Sequence, residues 1–98
     1  MTILVRYRVK TDRAEENVAF IEAVFAELER KRPPGLRYAS FRLADGVSFL
    51  HVAEVDGENP LPALDAFKAF TRDIRDRCED PPTTTEAARV GAYRAFGA

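Results

Sequence analysis

Residues 36–55 read LRYASFRLADGVSFLHVAEV, two runs rich in β-branched and aromatic residues on either side of Asp45-Gly46. That dipeptide supplies the positive φ angles of a two-residue hairpin turn, so the runs are expected to pair as antiparallel strands. A turn at 45 and 46 sets the register, placing Ala44 opposite Val47, Arg42 opposite Phe49, Ser40 opposite His51, and Tyr38 opposite Ala53. These share one face with Leu36 and Val55, because side chains alternate along a strand. The other face carries Phe41 opposite Leu50, Ala39 opposite Val52, and Arg37 opposite Glu54, the last a favourable cross-strand charge pair. Both faces are substantially apolar, and one holds His51, the only histidine in the chain.

On the N-terminal side, residues 2–10 alternate Ile3, Val5, Tyr7 and Val9 with Leu4, Arg6, Arg8 and Lys10, the period of a strand. From Ala14 to Lys31 there is neither Gly nor Pro, and Val18, Ile21, Val24, Phe25 and Leu28 recur at helical spacing. Asp12 is placed to cap this helix, with Glu15 completing a capping box, and Pro33-Pro34-Gly35 ends it. Beyond the hairpin, Leu64, Phe67, Phe70, Ile74 and Cys78 fall on one side of a second helix, and Arg72–Asp76 and Asp73–Arg77 form a solvated face of four-apart pairs. Pro81-Pro82 is read as ending that segment and TEAARVGAYRAF, residues 85–96, as a closing strand weakened by Gly91. The order β-α-β-β-α-β defines an α+β, ferredoxin-like arrangement: an antiparallel sheet with two helices on one face.

At 98 residues the chain is expected to be a single domain, 1–98, near the lower limit of what one core can stabilise. One cysteine, Cys78, forbids an internal disulfide, and one cysteine with one histidine leaves a zinc cluster short of ligands, so no metal is expected. The start MTILVRYRVK lacks the apolar core of a signal peptide, which points to the cytoplasm. No window approaches the roughly 20 apolar residues of a membrane span. Fifteen basic residues against sixteen acidic ones, dispersed along the chain, give no footprint for nucleic acid. With helices on one face of the sheet only, the other apolar face is expected to pack against a second copy. Burying Phe41, Leu43, Leu50 and Val52 in a homodimer would gain about 1.5–3 kcal/mol per large side chain before the cost of association.

The opening ILVRYRVKTDRAEE and the segment FLHVAEVDGENPLPALDAF resemble the first strand with the start of the first helix, and the third strand running into the second helix, of the antibiotic biosynthesis monooxygenase superfamily of dimeric α+β barrels. The resemblance covers nearly the whole length. It implies a ligand cleft between sheet and helices, to which Val5 and Tyr7 come from the first strand, Tyr38, Ser40, Arg42, Phe49, His51 and Val55 from the hairpin, and Phe67 from the second helix. It also implies that Phe41, Leu50 and Val52 face the other subunit. Cofactor-free oxygenation of polycyclic aromatics and haem degradation are the activities it suggests. Members with this chemistry use an asparagine on the first strand and a tryptophan ending the third, and the haem enzymes add a histidine on the second helix. Here those strand positions are Val5 and Val55, the chain has no tryptophan, and its one histidine is on the hairpin. Haem degradation is therefore disfavoured and no cofactor is expected.

His51 is the candidate catalytic group, since an imidazole exchanges protons near neutral pH, and Ser40 opposite it is close enough for a hydroxyl–imidazole contact. Arg42, Tyr7 and Tyr38 could orient an anionic or phenolic ligand. The competing reading is that His51 and Ser40 simply satisfy each other. Phe20, Phe25, Phe67 and Phe70 read as core aromatics, Cys78 as a small buried hydrophobe, and Arg6 and Arg8 as partners of acidic groups such as Glu54. Two functions stay open: a small enzyme acting on an aromatic or enol-like ligand beside His51, and a non-catalytic dimeric ligand-binding or structural module.

Overall fold

A computed structural model describes residues 1–95. Strand β1 (Thr2–Val9) leads through a 3-10 turn at Thr11–Arg13 into helix α1 (Ala14–Lys31). The hairpin strands β2 (Leu36–Arg42) and β3 (Ser48–Val55) follow, then a 3-10 turn at Leu61–Ala63, the short helices α2 (Asp65–Arg72) and α3 (Ile74–Arg77), and β4 (Cys78–Ala87). The four strands form one antiparallel sheet in the order β2-β3-β1-β4. This is the α+β, ferredoxin-like arrangement expected from the element order. Among the described residues, no helix is long and apolar enough to cross a membrane.

The hairpin register is as expected: Arg42 opposite Phe49, Ser40 opposite His51, Tyr38 opposite Ala53. The turn itself is wider than two residues. Leu43 and Ser48 close it by a backbone bond of 2.8 Å, and Gly46, at φ +79°, donates to the Leu43 carbonyl. The Asp45 carboxylate accepts from the Val47 and Ser48 amides and from the Ser48 hydroxyl, and these bonds, Ser48's first, hold its pKa down to about 2. The register survives because a loop extended symmetrically leaves every pairing unchanged. Arg37 pairs with Glu54 at 3.5 Å. Arg8, by contrast, pairs with Asp80 rather than with Glu54, whose other cationic partner is Arg89.

From Phe49 onward burial along β3 alternates, with Phe49, His51, Ala53 and Val55 buried under the helices. Phe41, Leu43, Leu50 and Val52 are half-buried; Phe41, Leu50 and Val52 alternate with the buried set and so lie on the opposite face. The core joins these buried β3 residues to Tyr7 and Val9 of β1, Val24 of α1, and Leu61, Leu64 and Phe70 from the second helical segment.

Four local expectations need correction. The capping box at Asp12 and Glu15 does not form: the 3-10 turn moves the helix start to Ala14, Arg13 occupies the N-cap position without a side-chain cap, and Arg13 instead grips Glu16 through two bonds. The second helix is not continuous to Cys78. It breaks at Asp73 (φ −118°, ψ 25°), and Cys78 opens β4. Neither the Arg72–Asp76 nor the Asp73–Arg77 ion pair forms among the described residues, and Arg77 turns fully inward. Finally, the closing strand begins at Cys78 rather than Thr85 and contains Pro81-Pro82. Prolines are tolerated there because β4 is an edge strand, and its pairing with β1 shifts register between Arg6 and Val9, opposite the proline pair. Residues 88–95 of the expected strand run on without regular pairing, and Phe96 lies outside the described residues.

Candidate functional site

The site lies between the sheet and the α2–α3 segment, around His51. Strand pairing aligns Ser40, His51, Val5 and Thr84 in one row across all four strands. Tyr7 sits two residues from Val5 on the same face, and Tyr38 two from Ser40, so two phenols converge on the imidazole. Tyr7 Oη lies 2.8 Å from His51 Nε2; Ser40 Oγ and Tyr38 Oη lie 2.6 and 2.8 Å from Nδ1. The Tyr7 and Tyr38 rings also stack on the imidazole, at centroid separations of 5.4 and 5.8 Å, and Phe70 tilts against it at 5.5 Å.

Behind Tyr7 the network runs deeper. Asn17 of α1 donates from Nδ2 to Tyr7 Oη at 2.9 Å, and Arg77 donates to Asn17 Oδ1 at 3.4 Å and to the Phe70 carbonyl at 2.6 Å. Asn17 and Arg77 are both fully buried. The guanidinium lies over the Phe20 ring at 4.5 Å and near Phe70 at 5.6 Å, an arrangement that attracts a cation to an aromatic face. Its Nη1 has no partner among the described residues.

Burial dominates the electrostatics. It lowers the His51 pKa to about 4, so the imidazole is neutral at pH 7. It also pushes both phenols up, Tyr7 despite the opposing Asn17 bond and Tyr38 despite Ser40. Burial raises the Cys78 thiol as well, which leaves it protonated and a poor nucleophile.

A cavity of about 370 Å³ opens in front of this network, lined by Val5, Tyr7, Tyr38, His51, Ala53, Phe67, Phe70 and Arg75 among others. That volume lies in the range of small-molecule sites. Of the residues expected at a ligand, Val5, Tyr7, Tyr38, His51 and Phe67 line it. Ser40 contributes indirectly, as a partner of Nδ1. Phe49 is fully buried and stacks on Tyr7 at 5.6 Å, supporting the phenol from behind. Val55 is buried outside the lining, in the core. Arg42 points away, with Nη2 2.8 Å from Glu15 and Nε donating to the Gly46 carbonyl. Asn17 and Arg77 were not anticipated. Asn17 falls at helical spacing with Ala14, Ile21 and Val24, a polar side chain on the buried stripe, and that was the available signal.

Fold and site together define an α+β domain with a buried histidine and two phenols facing an apolar cavity. No protein-family model and no curated protein matches the chain. Its fold is that of solved antibiotic biosynthesis monooxygenases: one of them superposes at TM-score 0.73 with 16% identity, over 92% of this chain and 98% of its own. Rv0793 from Mycobacterium tuberculosis gives 0.73 at 14% identity, over 93% and 95%. SnoaB from Streptomyces nogalater, a cofactor-independent oxygenase solved as its N63A mutant, gives 0.62 at 18% identity, over 91% and 93%.

Proposed function

We propose that this protein binds a small aromatic or enol-like ligand in the cavity between sheet and helices, with His51 as its acid–base group. The observation that carries this reading is a neutral, buried imidazole held between two phenols at the wall of an otherwise largely apolar cavity. The apolar body of the ligand rests on Phe67 and Phe70, and its oxygen meets the Tyr38 hydroxyl. A proton leaving an enol or phenol reaches His51 Nε2 through Tyr7, which lines the cavity and bonds that nitrogen. Cofactor-independent oxygenation, the activity of the Streptomyces protein, is the reaction class this pairing fits. The active unit in this reading is a homodimer joined through Phe41, Leu43, Leu50 and Val52.

One observation favours the alternative of a non-catalytic binding module: both ring nitrogens of His51 already have partners within the protein, so the imidazole reaches a ligand only through them.

A thermal-shift screen of phenols, enolisable diketones and aromatic carboxylates tests the site. At least one class is expected to raise the melting temperature. The rise should shrink in Tyr38→Phe and His51→Gln and persist in Arg42→Ala, whose side chain lies outside the cavity. If no compound shifts the native protein, the ligand-site reading fails.

A further inference from the structure

The hydrogen bonds behind the cavity run in one direction. A guanidinium can only donate, so the Arg77 bond to Asn17 Oδ1 orients the amide with Nδ2 towards Tyr7. With Tyr7 Oη accepting from Asn17, the phenol's own hydrogen has one acceptor among the described residues, His51 Nε2. A neutral imidazole that accepts at Nε2 carries its proton on Nδ1. That N–H donates to Ser40 Oγ at 2.6 Å, with Tyr38 Oη as a second acceptor at 2.8 Å, and Ser40 favours the ionised Tyr38 phenol, as a hydroxyl donating towards Oη does. Every link passes its hydrogen the same way. The Tyr38 hydroxyl hydrogen is therefore left facing the cavity that Tyr38 lines.

Charge points the same way. Among the described residues, Arg75 is the one charged side chain lining the cavity, and it makes no hydrogen bond or ion pair. Arg77 adds a second positive charge behind the wall, with no carboxylate bonded to it. Glu16, whose charge it feels, is already held by Arg13. An apolar cavity with these two cations and no acidic lining favours an anion.

We propose that Arg77, acting through Asn17 and Tyr7, holds His51 in the Nδ1–H tautomer, and that the cavity therefore takes a ligand whose inner end is an oxygen acceptor (phenolate, enolate or carboxylate) held by the Tyr38 hydroxyl. The second half rests on the ligand-site reading above; the first does not. Arg77 and Asn17 are positioning residues, since neither lines the cavity.

With a single histidine, one ¹⁵N-labelled imidazole reports the tautomer directly. In the native protein at pH 7, Nε2 is expected to be unprotonated and Nδ1 protonated. Asn17→Asp keeps the shape but offers only acceptors, and its carboxylate pairs with Arg77. Tyr7 then donates to that carboxylate and accepts from His51 Nε2–H, so the tautomer inverts. Tyr7→Phe removes the donor to Nε2 and is expected to give a mixture of tautomers, which keeps the test open if Asn17→Asp fails to fold. A native proton on Nε2, an uninverted tautomer in folded Asn17→Asp, or an unchanged tautomer in Tyr7→Phe overturns the positioning role.

Benzoate and benzylammonium, titrated against the same signals, test the ligand class. Benzoate is expected to shift the imidazole resonances and benzylammonium not, with benzoate affinity falling about tenfold in Asn17→Asp, the worth of one charge-assisted hydrogen bond. Equal binding of the two overturns the acceptor assignment. Binding of neither overturns the ligand-site reading and leaves the tautomer result to stand or fall by itself.

Discussion

Acidification from pH 7 to pH 4.5 is expected to remove on the order of 2 kcal/mol of stability through His51 alone. In the unfolded chain the imidazole titrates near 6.5, whereas in the fold burial lowers it to about 4. Between those values the unfolded state takes up a proton that the folded state does not. Stability is thus fully present above 6.5, falls as the pH drops towards 4, and stops changing below that, where both states are protonated. The carboxylates held low by their partners, Asp45 foremost, contribute in the same direction but mainly below about pH 5, where the unfolded chain begins to protonate them, so the interval from 6.5 to about 5 is governed by the histidine. Urea unfolding at a series of pH values measures it. His51→Gln, which has no titrating group, should flatten the curve across that interval; an equally steep curve in the variant would assign the effect elsewhere.

Replacing Arg77 by Ala is expected to cost about 3–5 kcal/mol, the range for emptying a large buried site or breaking a buried polar network. The loss comprises the packing between the Phe20 and Phe70 rings and the donors to the Phe70 carbonyl and Asn17. Each acceptor left unpaired in the interior costs about 1–3 kcal/mol. Domains of this size have only about 5–15 kcal/mol in total, so the variant should sit close to unfolding. Arg77→Met retains most of the volume and removes a charge whose burial is itself unfavourable, so it should cost no more than half as much. Denaturant unfolding of the two variants decides the matter. A loss below about 1 kcal/mol for Arg77→Ala would mean that the guanidinium stabilises nothing beyond what water could replace.

Of the two residues that organise the interior of the site, Asn17 left a signal on the buried stripe of its helix, whereas Arg77 was hidden by its spacing. Arg77 lies four residues from Asp73, and that spacing reads as a solvated ion pair for as long as the helix is continuous. The break at Asp73 is a tertiary outcome, set by β4 beginning at once at Cys78. Pro81-Pro82 misled in the same way, because a proline pair signals termination unless the strand it interrupts lies at an edge, and edge position depends on the sheet order. The hairpin was legible because register follows from period two and a loop centred near residues 45–46. Ser40, Tyr38 and His51 could therefore be placed together from residue numbers alone. Arg42 shared their face by the same rule, yet it lies at the exposed end of the hairpin, where Glu15 and the Gly46 carbonyl engage it. Face alone does not give depth.

The position of a bound aromatic ligand bears most directly on whether this cavity is a working site. A crystal structure of the protein with the tightest-binding phenol or aromatic carboxylate from the thermal-shift screen should show its ring against Phe67 and its oxygen within hydrogen-bond distance of Tyr38 Oη. A ligand seated on the outer face of the sheet, with the space in front of His51 closed by the protein's own side chains, would contradict the account.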